Sequence, residues 1–244
     1  MRVQATRFKG LVTALVDPSG AVRTMTVDPD PVGVALALVI LALALGALAL
    51  PGQLAVLHEA LAPIGQSALD LHHRAMQAGL TRVIVAERLM LSPTMLLAAG
   101  LVVLVGDPML MLPADRRRSL WAIVLLGLAP LLVQQIGELA LTYLAVPAGP
   151  SPGEAVGLGG RFTTGPLLLW RGEAVAPYWL ELIDSRLNLV TLWCVLLWVM
   201  GLRVLDGGRL RSWHIAVPLV SFGIAGVITW IMTPLVVAAL LGEP

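Results

Sequence analysis

Val32–Leu50 reads VGVALALVILALALGALAL, nineteen residues without a charged or strongly polar side chain. About twenty apolar residues in a helix cross a hydrocarbon layer of ~30 Å. The stretch is therefore expected to be a membrane span. Asp30-Pro31 stands just before it. Asp offers a side-chain acceptor for the first free N–H groups, and Pro at the first helical position has its φ already set. The span consists of Leu, Ala, Val, Ile and Gly. Gly33, Ala37 and Gly46 are the candidate helix-packing positions, because small residues let a neighbouring helix approach closely.

Four further apolar runs follow: Leu89–Gly106, Leu120–Leu139 (able to continue to Val146), Leu187–Leu205 and Ile215–Leu241. Ser92-Pro93 points to a kink or a late helix start, and Pro218 and Pro234 point to kinks or a break in the last run. The 244-residue chain is 58% hydrophobic and 13% charged, with mean hydropathy +0.88. Soluble domains carry about a quarter charged residues, and this chain has too few to cover a globule. The expected fold is all-α, a polytopic transmembrane helix bundle of about five spans. Residues 1–31 form a cytoplasmic amphipathic leading segment, and residues 32–244 form one bundle with outer loops at 51–88 and 140–186.

Interfacial helices are expected at three places. Phe8, Leu11, Val12 and Leu15 repeat at helical spacing beside Arg7 and Lys9, and Asp17-Pro18 ends that segment. Asp70, Arg74, Gln77, Thr81 and Arg88 form a polar stripe opposite Leu69, Met76, Leu80, Val83 and Ile84. Ala176, Trp179, Leu180, Ile183 and Leu187 make a third apolar face, after a Pro- and Gly-rich loop over 147–165. The polar residues 1–31 do not read as a cleavable signal, since the first apolar run comes too late and is too long.

Charge placement orients the bundle. One side gathers Arg2, Arg7, Lys9 and Arg23, then Arg116, Arg117 and Arg118, then Arg203, Arg209 and Arg211, all in short segments. The other side spreads Arg74, Arg82, Arg88, Arg161, Arg171 and Arg186 over two long loops. The positive-inside rule weights short loops, so the N-terminus is expected in the cytoplasm and the C-terminus outside, in a multi-pass protein of the cytoplasmic (inner) membrane. Trp121 and Trp213 fall at the inner boundary, and Trp170, Tyr178 and Trp179 near the outer one. The net charge of +1 indicates no nucleic-acid partner. The single Cys194 excludes an internal disulfide.

Three stretches carry a family resemblance. They are Gly10–Leu50 (GLVTALVDPSGAVRTMTVDPDPVGVALALVILALALGALAL), Glu181–Leu196 (ELIDSRLNLVTLWCVL) and Gly201–Val217 (GLRVLDGGRLRSWHIAV). An amphipathic, Asp-Pro-containing lead into the first span and a short basic hairpin before the last resemble the prokaryotic branch of the Yip family. These are polytopic proteins named for Rab-GTPase interaction. The eukaryotic Asp-Leu-Tyr-Gly-Pro-type signature has no counterpart beyond Gly165-Pro166, so a Rab role is not implied. The resemblance implies five spans and a non-enzymatic accessory or scaffold protein. It would act through other integral membrane proteins, such as an ABC-type export complex, or through copies of itself.

Candidate chemistry is sparse. His58-Glu59 lacks the second histidine of a zinc-protease helix, and His72 and His73 are adjacent rather than one turn apart. No catalytic, cofactor-binding or metal-binding residues are expected. Gln134, Gln135 and Glu138 form a candidate intramembrane polar patch, with Gln134 and Glu138 on one face. Ionisable groups inside a membrane are functional candidates, and this patch supports the rival reading of a small transporter or channel subunit. Glu138 lies ~27 Å along a helix begun at Leu120, which also suits a hydrated carboxylate near the outer interface. Arg116, Arg117 and Arg118 form a candidate lipid-head-group and topology cluster. Asn188, Thr191, Thr229 and Thr233 read as polar contacts between helices.

Overall fold

The computed structural model describes residues 13–61, 93–145 and 187–241, all of them helical or in turns between helices. After a helical turn at 13–16, seven helices follow. They are α1 (Pro18–Val27), α2 (Pro31–Leu61), α3 (Pro93–Leu110), α4 (Ala114–Leu126), α5 (Pro130–Ala145), α6 (Leu189–Leu205) and α7 (Ser212–Leu241). Three stretches are long and apolar enough to cross a membrane: Pro31–Gly52, Arg116–Ala140 and Ser212–Met232. Thr94–Leu110 and Leu189–Leu205 are shorter apolar helices. The protein is thus a helical membrane protein.

Local signals explain the helix starts. Asp17 Oδ1 accepts the Gly20 N–H at 2.9 Å and Pro18 opens α1, so Asp17-Pro18 begins a helix as well as ending the preceding turn. Asp30 Oδ1 accepts the Gly33 N–H at 2.8 Å and Pro31 opens α2, the cap expected from the sequence. Pro93 is the first described residue of α3, and the expected start at Leu89 lies outside the described residues. The Asn188 side chain caps α6 in a reciprocal box with Thr191, at 2.9 and 3.1 Å. Asn188 and Thr191 thus order their own helix end.

Two expected boundaries shift. Helix α2 continues to Leu61, past the expected end at Leu50 and through Pro51. The Tyr143 hydroxyl donates to the Leu48 carbonyl in that loosened turn, at 2.8 Å. The run Leu120–Leu139 is not one helix. Pro130 has no N–H and crowds the carbonyl four residues back, so the backbone N–H groups on both sides of it, from Leu128 to Leu132, bond three residues back between α4 and α5. Leu128 donates to Leu125 and Ala129 to Leu126, each at 3.0 Å. By contrast α7 runs unbroken through Pro218. The interfacial stripe expected from Leu69 to Arg88, the apolar face expected from Ala176 to Ile183, and residues 1–12 lie outside the described residues.

The described residues divide into two compact units. The first takes its residues from Met1–Leu41, Ser92–Val133 and Arg186–Thr229. Within it α4 packs against α1, α3 and α6, and α6 also meets α1 and α3. The core around α4 includes Ala98, Val102, Ile123, Leu126, Cys194 and Trp198. The second unit takes its residues from Ala42–Leu91, Gln134–Ser185 and Trp230–Pro244.

Candidate functional site

The first unit places three arginine-bearing segments at one end. Helix α1 carries Arg23, the start of α4 carries Arg116–Arg118, and the α6–α7 turn carries Arg203, Arg209 and Arg211. Helix α1 packs on both α4 and α6, and Arg23 and Arg203 line one groove there while Thr26 and Arg116 line another, so the three segments meet at this end. Thr26, Arg116, Ser119 and Leu205, drawn from all three, surround one groove.

The α6–α7 turn is tightly built. Helix α6 ends at Asp206, and Gly207 and Gly208 take φ of +76° and +87°, a region that strains any residue with a Cβ. Gly208 donates to the Arg203 carbonyl at 2.8 Å and Gly207 to Val204 at 3.3 Å, the paired bonds of a Schellman ending. The Arg203 Nε returns to the Gly208 carbonyl at 2.6 Å. Across the turn, His214 is fully buried. Its Nδ1 accepts the Arg211 backbone N–H at 2.9 Å, which leaves Nε2 as the protonated nitrogen. Nε2 lies 3.1 Å from Asp206 Oδ2, and Arg211 Nε lies 3.2 Å from the same oxygen. One carboxylate thus fixes both the imidazole and the guanidinium. All donors and acceptors of the imidazole are used, so this is a lock on the turn and not an open acid–base site.

On the neighbouring turn, Arg117 Nε sits 3.1 Å from Asp107 Oδ1. Arg117 is 60% exposed there, so the pair contributes little stability by itself. Its effect is to hold the end of α3 against the start of α4. Arg116 and Arg118 are exposed and make no ion pair among the described residues.

At the middle of the same unit lies the break in the third apolar run. The tightened turn turns the Leu128 N–H towards Leu125, so the Val124 carbonyl loses its helical partner. Trp198 supplies a replacement: its Nε1–H donates to Val124 O at 2.8 Å, and the whole side chain is buried. A Cβ at Gly127 would overlap Trp198 Cδ1 and Nε1, and one at Gly201 would overlap Ile123 Cγ2. The α4–α6 contact therefore depends on glycine on both helices. Nothing in the hydropathy pattern marks this pair. Only the Gly127-x-x-Pro130 spacing hints at it.

Gln134 Nε2 donates to Glu138 Oε1 at 3.2 Å along one face of α5, and Gln135 Oε1 is buried with no hydrogen-bond partner among the described residues. Gly33 and Ala37 are buried in the first unit and Gly46 in the second. Thr229 meets Thr94 hydroxyl to hydroxyl at 2.8 Å, joining α7 to α3. The His58 and Glu59 side chains, the His72-His73 pair and the Thr233 side chain lie outside what is described. No cluster of metal-ligating side chains occurs among the described residues. Comparison with known protein families, characterised proteins and solved structures gives no match.

Proposed function

We propose that the chain is a five-span protein of the cytoplasmic membrane whose arginine-rich end faces the cytoplasm and whose C-terminus lies outside. The observation that carries this reading is the meeting of Arg23, Arg116–Arg118 and Arg203–Arg211 at one end of one unit. Helix lengths support it as well. Thr94 lies sixteen residues from Leu110, and Thr229 seventeen from Ser212, so each is ~24–26 Å along its helix from the arginine-rich end. Their 2.8 Å contact suits two antiparallel helices crossing the same layer.

Within that topology we read a non-catalytic accessory or scaffold protein, as the resemblance to the Yip family implies. Its partners would be other integral membrane proteins, such as an ABC-type export complex, or further copies of the chain. The open faces of the outer helices support this. Helix α7 leaves much of its apolar surface uncovered, whereas α4 is largely buried. Ile215, Leu219, Ile224 and Ile228 of α7 face outward. A mild-detergent pull-down from native membranes, followed by mass spectrometry, tests the reading. A stoichiometric membrane complex is the expected result, and recovery of the chain alone as a monomer would overturn it.

A second reading, a small transporter or channel subunit, is favoured by the break before Pro130 and the buried Gln135 oxygen one turn beyond it. Interrupted helices line transport sites in several membrane folds. Solute flux in proteoliposomes that disappears in Gln135→Leu would establish it.

A further inference from the structure

Helix α1 lies in a crevice against α6, and the crevice has two segments that share Val204. The first, of about 240 Å³, is lined by Thr26, Arg116, Ser119, Val204 and Leu205. The second, of about 260 Å³, is lined by Val22, Met200 and Val204 together with Ser19, Arg23, Arg203 and Gly208. One segment is polar and cationic, and the next is largely apolar.

Ser119 is the informative residue. It is 98% buried, its relative exposure being 2%. It lines the groove beside Arg116. What remains exposed of Ser119 opens onto the groove, where its hydroxyl can donate to a ligand oxygen. Arg116, one turn earlier on the same face of α4, brings a guanidinium with no ion-pair partner among the described residues. Both belong to the N-terminal half of α4, whose first turn carries the positive end of the helix dipole. The Thr26 hydroxyl donates to the Arg23 carbonyl at 2.6 Å, so towards the groove it can only accept. The groove therefore offers a cation and a donor for an anion, beside an acceptor suited to a hydroxyl or ammonium group.

We propose that this groove holds the phosphate of one anionic phospholipid, with Arg116 and Ser119 on the phosphate oxygens and an acyl chain starting along Val22 and Met200. The shared chemistry is a phosphate group, which a soluble anion could also supply. The apolar second segment selects the lipid, since a free phosphate has no use for it. The inference rests on the proposed orientation, in which this end meets the head groups.

The test uses the full-length protein in bilayer discs of equal phosphatidylglycerol and phosphatidylcholine, extracted gently and examined by native mass spectrometry. Wild type is expected to retain one phosphatidylglycerol in preference to phosphatidylcholine. Arg116→Gln with Ser119→Ala is expected to lose that retention roughly tenfold, the value of one charge-assisted contact. Arg118→Gln, which removes the same charge outside the groove, is expected to keep it. Equal loss in Arg118→Gln, or no loss in the double variant, would overturn the site. Displacement of the lipid by excess inorganic phosphate would assign the groove to a free anion and overturn the lipid reading. Protease protection in sealed inverted membrane vesicles separates the two proposals: protein whose arginine-rich end is cleaved there, as the proposed orientation requires, but which retains no phosphatidylglycerol in the discs fails only this inference.

Discussion

Gly127→Ala tests whether the helix break and the indole are one device. Trp198 is fully buried and tied to Val124 O at 2.8 Å, so the ring has no room to swing away. A methyl at Gly127 meets ring atoms Cδ1 and Nε1, and either the ring or α4 must move. Overpacking of this kind costs about 1–3 kcal/mol. Stretching the indole–carbonyl bond adds ~1 kcal/mol, because the Val124 carbonyl has no helical partner to return to. The expected cost is ~2–4 kcal/mol. Trp198→Leu removes the ring and the donor together and is destabilising too. With the ring gone, however, adding Gly127→Ala should cost less than ~1 kcal/mol. The measurement is a double-mutant cycle on reversible unfolding in mixed detergent, followed by far-UV circular dichroism. A coupling of about 2 kcal/mol is expected. Additive costs, or a silent Gly127→Ala, would refute the reasoning.

Asp206→Ala strips the buried His214 of its Nε2 partner and frees Arg211, at a cost of about 1–3 kcal/mol, and the α6–α7 turn should become a preferred trypsin site at Arg209 and Arg211. Thr229→Val should cost only ~0.6 kcal/mol, the usual size of such contacts in membranes, in the same unfolding assay. A Thr94→Cys, Thr229→Cys pair should cross-link readily on oxidation, and failure to do so would separate α3 from α7. The Asp17 carboxyl is held below the usual carboxylate range, first by the Gly20 N–H, then by the Ser19 hydroxyl and Arg23. Its capping of α1 is therefore complete above the ordinary aspartate pKa and is lost as pH falls through the depressed folded value. Amide exchange in α1 should accelerate over that acidic window, and Asp17→Asn should remove the dependence.

How far these features can be read from sequence differs by kind. Helix α2 is legible because nineteen apolar residues follow an Asp-Pro cap, and local chemistry alone decides both its existence and its start. Helix α1 is harder, since PSGAVRTMTV holds Pro, Gly and two Thr and is stabilised by packing Ala21, Val22 and Met25 against α4 and α6. The break between α4 and α5 is invisible to hydropathy because Gly127–Pro130 are as apolar as their neighbours. What changes there is the backbone bonding, not the polarity. Trp198 and Val124 are 74 residues apart, and His214 answers Asp206 across a turn, so both pairings depend on tertiary geometry. The arginine clusters are legible individually, whereas their meeting around α1 requires the fold.

Whether the three arginine segments share one membrane face, as proposed, can be measured directly. Single cysteines at Arg23, Arg118 and Arg209, in a background where the buried Cys194 is replaced by Ala, are treated with a membrane-impermeant maleimide in intact cells and again after permeabilisation. All three are expected to stay unlabelled until the membrane is opened, while a cysteine at Glu243 labels at once. Labelling of Arg118→Cys in intact cells with Arg209→Cys still protected, or the reverse, would contradict the arrangement.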